Sequence, residues 1–390
     1  MKKIVCLILM VMIVLSGCTF IGQKDAADDE PIIPVAINSN GSQDNSANTA
    51  VSASSTSGDS SSAGGNVSSS AVMENSEDLF SNNILIDNGT GEGVSANSND
   101  KNSLLMTLYY RDTDGLLIPV TRNVTKQEGL AKAAINGLVN EPVTREQLDY
   151  YGLYPVLPQG TKIKGMTIKN GSAVIDFSKE FMNLGTKEDE QLAVTSVVYT
   201  LTGFKTISDV SIRVDGRTVN TLSNGTDISG VRNRENTFIN SSDTELKAGY
   251  IKCDLYYMTT SNDQYNYMVP VSKLIQEADE SKLPGIIFAE LAKNPETKKI
   301  YTSLPEGTTL LSCNMQNDLA VLDFSTQLTN YGGNEKENGL INQIYYTLRQ
   351  LKGIAKAKIL VDGKETTLPE GSEIAFEKTL PASVNNVMDK

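Results

Sequence analysis

Apolar and polar residues alternate in short runs from about residue 104 onward, and these runs predict strands. Residues 104–111 and 116–122 flank Asp-Thr-Asp-Gly and predict a β-hairpin. Residues 163–169 and 173–177 flank Asn170-Gly171, the dipeptide favoured in two-residue hairpin turns, and predict a second hairpin. A last strand is predicted at 210–214.

Two segments between these strands carry helical spacing instead. Thr125 and Glu128 fit a capping box before apolar residues at 130, 134, 135 and 138. Thr186 and Asp189 begin a second helix with an apolar face at 192, 197, 199 and 201. The pattern predicts an α+β unit in which two helices pack on a mostly antiparallel sheet.

The whole pattern returns 147 residues later. The repeated motifs are LYY at 108 and 255, LPxGT at 157 and 304, AVxDFS at 173 and 320, YTL at 199 and 346, and VDG at 214 and 361. A fixed offset over five motifs indicates a domain duplication. We therefore predict two self-contained tandem domains, joined by a connector and followed by a tail: domain 1 at 104–222, the connector at 223–249, domain 2 at 250–369 and the tail at 370–390.

The N-terminus carries a targeting signal. Two lysines precede a run of about 12 apolar residues, which is too short to span a bilayer and is typical of a signal peptide. The ending Leu-Ser-Gly-Cys18 resembles a bacterial lipobox, so we predict a lipoprotein signal peptide at 1–17 and a diacylglyceryl group on Cys18. An ordinary secretory signal followed by a chance cysteine is the alternative.

A polar, acidic tract rich in Ser, Asn and Gly fills residues 18–103 and predicts a disordered tether. The net charge of −13 belongs largely to this tract, because 12 acidic residues lie between Thr19 and Asp100 with Lys24 as the single base. The absence of a basic stripe argues against nucleic acid as a partner. The chain has no histidine, which removes the usual general base and a common metal ligand. We expect no cofactor and no metal site.

Asp176 and Asp323, in the two copies of AVxDFS, are the obvious catalytic candidates. The nearest acid, Glu180, is matched by Gln327 in the second copy, so no carboxylate pair is kept there. We predict that both aspartates are structural and accept hydrogen bonds from the backbone of the next turn. Asp215 and Asp362, each before glycine, are likewise predicted to be turn residues. Gly160 and Gly307 of LPxGT are interpreted as structural residues of the repeat.

The remaining thiols, Cys253 and Cys313, occupy repeat positions that hold methionine in the first copy. They are interpreted as small core residues, and a disulfide between them is the alternative. Each Tyr-Tyr pair, at 109–110 and 256–257, is expected to place one ring on each sheet face. One ring is expected in the core, and the other either at an interface or exposed on the strand. Residues 237–239 of the connector are expected to dock and fix the two copies relative to each other.

The lipobox, the Ser-rich tether and the duplicated motifs resemble the GerM family of sporulation and spore germination lipoproteins, whose folded part consists of two tandem GerMN domains. The resemblance covers residues 104–369. It implies a fold similar to ring-building modules and an extracytoplasmic, lipid-anchored position between mother-cell and forespore membranes. It also implies protein partners in a ring-forming channel that the protein helps to place or stabilise.

Three classes of function therefore differ in what they require of the structure. A non-enzymatic scaffold or assembly factor needs exposed sheet faces and edges. A ligand- or peptidoglycan-binding lipoprotein of the cell envelope needs a deep cleft between the copies with convergent polar groups. A hydrolase is disfavoured, because the sequence has no histidine and no conspicuous nucleophile or metal-ligand cluster.

Overall fold

The computed structural model describes residues 103–125, 127–295 and 299–386. The predicted signal peptide, Cys18 and the predicted tether lie outside these ranges, so the predictions made for them are not addressed by the structure. Within the described ranges, no helix is long and apolar enough to cross a bilayer.

The first copy contains eight strands and three α-helices among the described residues. In chain order they are β1 Ser103–Asp112, β2 Leu117–Thr125, α1 Leu130–Asn136, α2 Pro142–Asp149, β3 Leu153–Tyr154, β4 Ile163–Lys169, β5 Ser172–Phe177, α3 Lys187–Leu201, β6 Asp209–Val214, β7 Arg217–Thr218 and β8 Arg232–Asn233, with a 3-10 turn at Lys179–Met182.

The second copy repeats this order with two α-helices in its described part. Its elements are β9 Tyr250–Ser261, β10 Tyr265–Gln276, α4 Leu283–Leu291, β11 Ile300–Tyr301, β12 Leu310–Gln316, β13 Leu319–Phe324, α5 Asn334–Leu348, β14 Lys356–Val361 and β15 Lys378–Thr379, with a 3-10 turn at Thr326–Thr329. No counterpart of α2 separates α4 from β11 in the described residues.

The strands of each copy form two sheets, with orders β2-β1-β3 and β4-β5-β6-β7 in the first and β10-β9-β11 and β12-β13-β14-β15 in the second. The α+β class is confirmed. The sheets are not all antiparallel, because β5 pairs with β6 in parallel, as β13 does with β14. A helix carries the chain back across the sheet between the members of each parallel pair, as a parallel connection requires.

Local signals in the sequence predicted some elements well. Asn170 and Gly171 both have positive φ, 52° and 82°, as a type I′ hairpin turn requires. The capping box at Thr186 and Asp189 is present at the start of α3, with each residue's side chain bonded to the other's backbone.

The capping box predicted at Thr125 is wrong. Thr125 is the last residue of β2, and α1 begins only after Gly129, which has a φ of 75° and makes no side-chain cap. The pairing of β2 with β1 extends to Thr125 and Ser103. Thr125 therefore belongs to the sheet, although the motif assigned it to the start of the helix. The first hairpin of the second copy is longer than that of the first, because β9 and β10 have 12 residues each.

The two copies meet along β2 and β10, the edge strands of their first sheets. Each of these strands carries a proline, Pro119 or Pro270, whose carbonyl remains an acceptor although the residue has no N–H to donate. Two short segments cover the junction: the end of the connector and the end of the C-terminal tail.

The connector segment binds both copies. Ile239 is fully buried, and it donates its N–H to the Ser272 hydroxyl at 2.8 Å while its carbonyl accepts the Ser272 N–H at 2.9 Å. The Asn240 amide accepts the Leu117 N–H at 2.7 Å and donates to the carbonyls of Leu117 and Pro270, both at 2.9 Å. The prediction that residues 237–239 dock and tie the copies together is confirmed.

The C-terminal tail makes equivalent contacts, but it follows the second copy and binds the edge strand of the first. Val384 donates its N–H to the Thr121 hydroxyl at 2.8 Å and accepts the Thr121 N–H at 2.9 Å. The Asn385 amide accepts the Met268 N–H at 2.9 Å and donates to the carbonyls of Met268 and Pro119, at 2.7 and 2.8 Å. The tail of the second copy therefore lies on a strand of the first, and the copies are not self-contained as predicted.

The connector binds the second copy and the tail binds the first, and we call this pair of contacts the exchange of tails. Asn240→Gly tests the contact made by the connector. Asn240 has a φ of 50°, which glycine also adopts, so the substitution removes the amide while leaving the backbone unstrained. We expect the free energy of unfolding to fall by about 1–3 kcal/mol, because buried backbone groups lose their partners. Chemical denaturation of the purified chain measures this change.

Asn170→Gly is the matched control, since Asn170 has a φ of 52° but is exposed in a hairpin turn. Asn170→Gly should lower the free energy of unfolding by at most a few tenths of the loss caused by Asn240→Gly. Equal destabilisation by the two substitutions would show that the Asn240 amide contributes nothing.

Candidate functional site

The aspartates of the two AVxDFS motifs accept backbone hydrogen bonds, as predicted, but the donor does not lie in the next turn. Asp176 Oδ1 accepts the Gly216 N–H at 2.9 Å, and Asp323 Oδ1 accepts the Gly363 N–H at 2.8 Å. Both partners lie 40 residues further along the chain. The parallel pairing of β5 with β6 brings the ends of these strands together, which the sequence interpretation as an antiparallel sheet did not provide.

The other repeated residues have left-handed backbone, as a turn at Asp215 and Asp362 requires. Asp215 and Asp362 have φ values of 55° and 53°, and Gly160 and Gly307 both have 79°. Asp215 also forms an exposed ion pair with Lys164 at 2.6 Å. These positions are kept in both copies because the backbone there is left-handed, a conformation available mainly to Gly, Asn and Asp.

Cys253 and Cys313 are both free thiols in the structure. Cys253 lies on β9 and Cys313 on β12, in different sheets, so the alternative of a disulfide between them is not formed. Burial raises the pKa of Cys253 to about 11, with a further contribution from the neighbouring Asp254 carboxylate. Such a thiol is a poor nucleophile near neutral pH.

The Tyr-Tyr pairs are buried on both faces of their strands, so the second ring of each pair is not exposed. Tyr110 and Tyr257 are almost fully buried, and Tyr109 and Tyr256 expose only 3% and 6% of their surface. The Tyr109 ring packs edge-on against Tyr199 of α3, with centroids 5.3 Å apart.

A buried ion pair lies next to these rings, at the domain interface. Lys252 Nζ is 2.6 Å from Asp254 Oδ1, and their side chains are only 4% and 5% exposed. Asp254 also accepts hydrogen bonds from the hydroxyls of Tyr199 and Ser272, both at 2.7 Å. The carboxylate of the second domain thus binds α3 of the first domain through Tyr199.

Arg234 of the connector completes this interface cluster, which we define as Tyr109, Tyr199, Arg234, Lys252 and Asp254. Its guanidinium lies 4.6 Å from the centre of the Tyr199 ring and donates to the Tyr199 carbonyl at 2.9 Å. Lys252 in turn donates to the Arg234 carbonyl at 2.7 Å and to the Tyr199 hydroxyl at 2.9 Å. The charges are therefore shared among three segments of the chain.

Titration of the cluster follows from burial. Burial raises the pKa of Tyr199, and the nearby Asp254 carboxylate raises it further, so the phenol stays protonated and donates. Burial lowers the pKa of Lys252, and the ion pair with Asp254 opposes that shift. The arrangement holds charge in place at the junction of the domains, where a deep cleft would be needed for ligand binding.

The first copy has no such charges at the equivalent positions. Leu105 and Thr107 stand 147 residues before Lys252 and Asp254, and the Thr107 hydroxyl hydrogen-bonds to that of Thr121 at 2.9 Å. Sequence reasoning missed the cluster because Lys252 and Asp254 look like ordinary alternating polar residues at the start of a strand. The replacement of Leu105 and Thr107 by charged residues in the second copy was the available signal of a special site.

A second missed pair is repeated in both copies. Glu190 and Glu337, at the same 147-residue offset, are almost fully buried near the starts of α3 and α5. Glu190 accepts the N–H groups of Asn224 and Thr226 at 2.6 and 3.0 Å. Burial alone would raise the pKa of Glu190, but these hydrogen bonds outweigh it and lower the pKa below the usual value for glutamate.

Glu337 does the same in the second copy, accepting the N–H groups of Glu370 and Ser372 at 2.8 and 2.9 Å. Each glutamate therefore binds the turn that follows the last long strand of its domain to a helix, which is α3 in the first copy and α5 in the second. This glutamate is kept in both copies, as Asp176 and Asp323 are, and it serves the fold.

A groove of about 580 Å³ lies at one edge of the second sheet of the second copy. Its walls are α4, the end of β10 and the beginning of β12, so it belongs to one domain. Among the described residues, no group of three or more Cys, Asp or Glu side chains is placed to hold a metal ion.

Two copies of one α+β module, joined by exchanged tails and a buried charged cluster, define a duplicated two-domain protein. The chain belongs to the Germane family, described as sporulation and spore germination, whose model matches residues 107–220 and 254–367. It is 30% identical over 294 residues to the spore germination protein GerM of Bacillus subtilis strain 168. That alignment covers 73% of this chain and 78% of GerM.

One solved structure agrees with this assignment. The tandem GerMN domains of the sporulation protein GerM from Bacillus subtilis match with a TM-score of 0.63 and 29% identity, over 73% of this chain and 99% of that one. The first GerMN domain of the same protein matches 34% of this chain and 98% of its own length, with 37% identity and a TM-score of 0.31. The resemblance seen in the sequence is confirmed, and the chain is a GerM-like protein with two tandem GerMN domains.

Lys252→Leu tests the interface cluster. It leaves the Asp254 carboxylate buried without its cation, so we expect the free energy of unfolding to fall by about 3–5 kcal/mol. The double variant Lys252→Leu, Asp254→Thr recreates Leu105 and Thr107 of the first copy and should recover most of that loss. Urea denaturation of both variants supplies the comparison.

Lys247→Leu is the matched control, because Lys247 forms an exposed ion pair with Asp243 at 3.0 Å. Exposed pairs contribute about 0–1 kcal/mol, so this variant should be close to the unaltered chain. A double variant less stable than Lys252→Leu alone would contradict the account of an unpaired buried charge.

Proposed function

We propose that this chain is a membrane-anchored, non-enzymatic scaffold or assembly factor in sporulation, and hence in germination competence. In this proposal it helps to place or stabilise a ring-forming channel between mother cell and forespore. The observation that carries the proposal is the fusion of the two domains across the interface cluster and the exchanged tails. Such a body presents the outer faces of both domains in one fixed arrangement, as a scaffold requires.

The acids that might have served catalysis support the same view. Asp176 and Asp323 bind glycine amides, and Glu190 and Glu337 bind backbone amides in their own domains. Carboxylates engaged in this way hold the fold and are not poised to transfer protons. Membership of a sporulation family supports the biological setting.

A ligand- or peptidoglycan-binding role is less well supported. It calls for a cleft between the copies, whereas Lys252, Asp254 and Arg234 are packed into that junction with their mutual hydrogen bonds. Binding to purified peptidoglycan sacculi would favour this alternative over the scaffold.

The anchor is proposed to be a diacylglyceryl group on Cys18, holding the protein on the extracytoplasmic face of the membrane. A complementation assay in sporulating cells that lack their own copy tests anchor and scaffold together. Cys18→Ala should move the protein from the membrane fraction to the soluble fraction and lower the yield of heat-resistant spores. Cys253→Ala, a buried thiol change, is the control that should leave fractionation unchanged.

Crosslinking from the outer faces of both domains in the same cells then identifies what the protein holds. The proposal expects envelope or channel proteins captured by the anchored form and lost with Cys18→Ala. Full membrane retention of Cys18→Ala would refute lipidation as the anchor, and normal spore yield from a soluble form would refute the scaffold at the membrane.

A further inference from the structure

One edge of the second sheet of each domain is formed by β4 in the first copy and by β12 in the second. Each pairs with a single neighbour, β5 or β13. An unpaired edge presents a row of backbone N–H and C=O groups to which another strand can add, and natural proteins protect such edges, often with lysine.

The two edges differ in their protection. On β4, Lys164 and Lys169 supply charges, and Lys164 is held by Asp215. Their repeat counterparts on β12 are Leu311 and Gln316, so the strand LLSCNMQ carries no charge. Leu311 is 53% exposed and Met315 is 37% exposed, which leaves apolar surface on an edge that lacks lysine and is interrupted by a bulge between Leu310 and Ser312.

The groove of about 580 Å³ lies directly beside this edge. Its helical wall presents Gly285, Ile286 and Ala289 of α4, and β12 contributes Leu310 to Cys313 on the other side. Gly285 has open space around its Cα, so nothing in the described structure fills this wall. A strand added to β12 would extend the sheet under α4 and place its side chains in the groove.

We infer that the occupant of this edge is β12 of a second copy of the chain. A two-fold contact requires a strand that is complementary to itself. When LLSCNMQ is paired antiparallel about Cys313, Leu311 faces Met315 of the second copy and Ser312 faces its Asn314. Apolar residues then meet apolar residues, polar meet polar, and no like charges are opposed.

A two-fold axis perpendicular to the sheet sets the two α4 helices antiparallel. Glu290 of α4 is already paired with Lys293 at 2.8 Å, and Lys282 before α4 is paired with Asp279 at 3.1 Å. The contact therefore depends on β12 itself. The contact adds a surface to the proposed function without depending on it, because the dimer is defined by the purified chain alone.

The test is the oligomeric state of the chain from Thr19 to Lys390, measured by sedimentation velocity over a range of concentrations. The unaltered chain should show a concentration-dependent dimer. The double variant Leu311→Lys, Gln316→Lys restores the lysines of the first copy and should weaken dimerisation by about tenfold or more, because it places charge on both strands. Leu246→Lys, a 50% exposed leucine in the connector, is the control and should dimerise normally.

A thiol crosslink supplies an independent readout. A short bismaleimide should link two copies through Cys313 in the unaltered chain, and this product should persist in Cys253→Ser and disappear in Cys313→Ser. Equal denaturation midpoints, measured at a concentration where every variant is monomeric, establish that they are folded. A chain that stays monomeric at every concentration, a dimer unaffected by the two lysines, or a crosslink through Cys253 would each overturn the proposal.

Discussion

The exchange of tails across β2 and β10 is the constraint on which the rest of the structure depends. Both strands are sheet edges with a proline, and the junction between the domains is buried, so their backbone groups need partners from elsewhere in the chain. Asn240 and Asn385 supply them, each bonding the backbone of its own domain and a proline carbonyl of the other. An asparagine suits this position because it tolerates the positive φ, about 50° in both cases, that directs its amide into the junction.

The contacts of Asn240 and those of Asn385 are nearly equivalent, as expected of a duplicated domain. The interface cluster has no equivalent on the other side of the junction. The charged residues Lys252, Asp254 and Arg234 lie on one side of the junction only. At the positions equivalent to Lys252 and Asp254, the first copy has Leu105 and Thr107. A buried ion pair adds little net stability compared with apolar residues, but breaking it is costly. The cluster therefore acts mainly to specify a single arrangement of the two domains, with Tyr199 of one bonded to Asp254 of the other.

Periodicity and the 147-residue offset predicted most of the fold, because hairpin dipeptides, a true capping box and alternating strands are local signals. They failed where a distant partner decided the outcome. Thr125 stayed in β2 because its pairing with β1 continued, and Asp176 found Gly216 through a parallel strand pair. Glu190 and Glu337 were detectable as a repeated acid, but their burial depends on turns more than 30 residues away. The crossing of Asn385 to the first domain leaves no trace in local sequence, since it links residues 266 apart.

The central claim is that the exchanged tails and the interface cluster make the two domains one cooperative unit. Differential scanning calorimetry of the purified chain tests it most directly. One transition is predicted, with a calorimetric enthalpy equal to the van't Hoff enthalpy, as expected when both domains unfold together. Two resolved transitions, or a calorimetric enthalpy about twice the van't Hoff value, would mean that the domains unfold independently and would contradict the account.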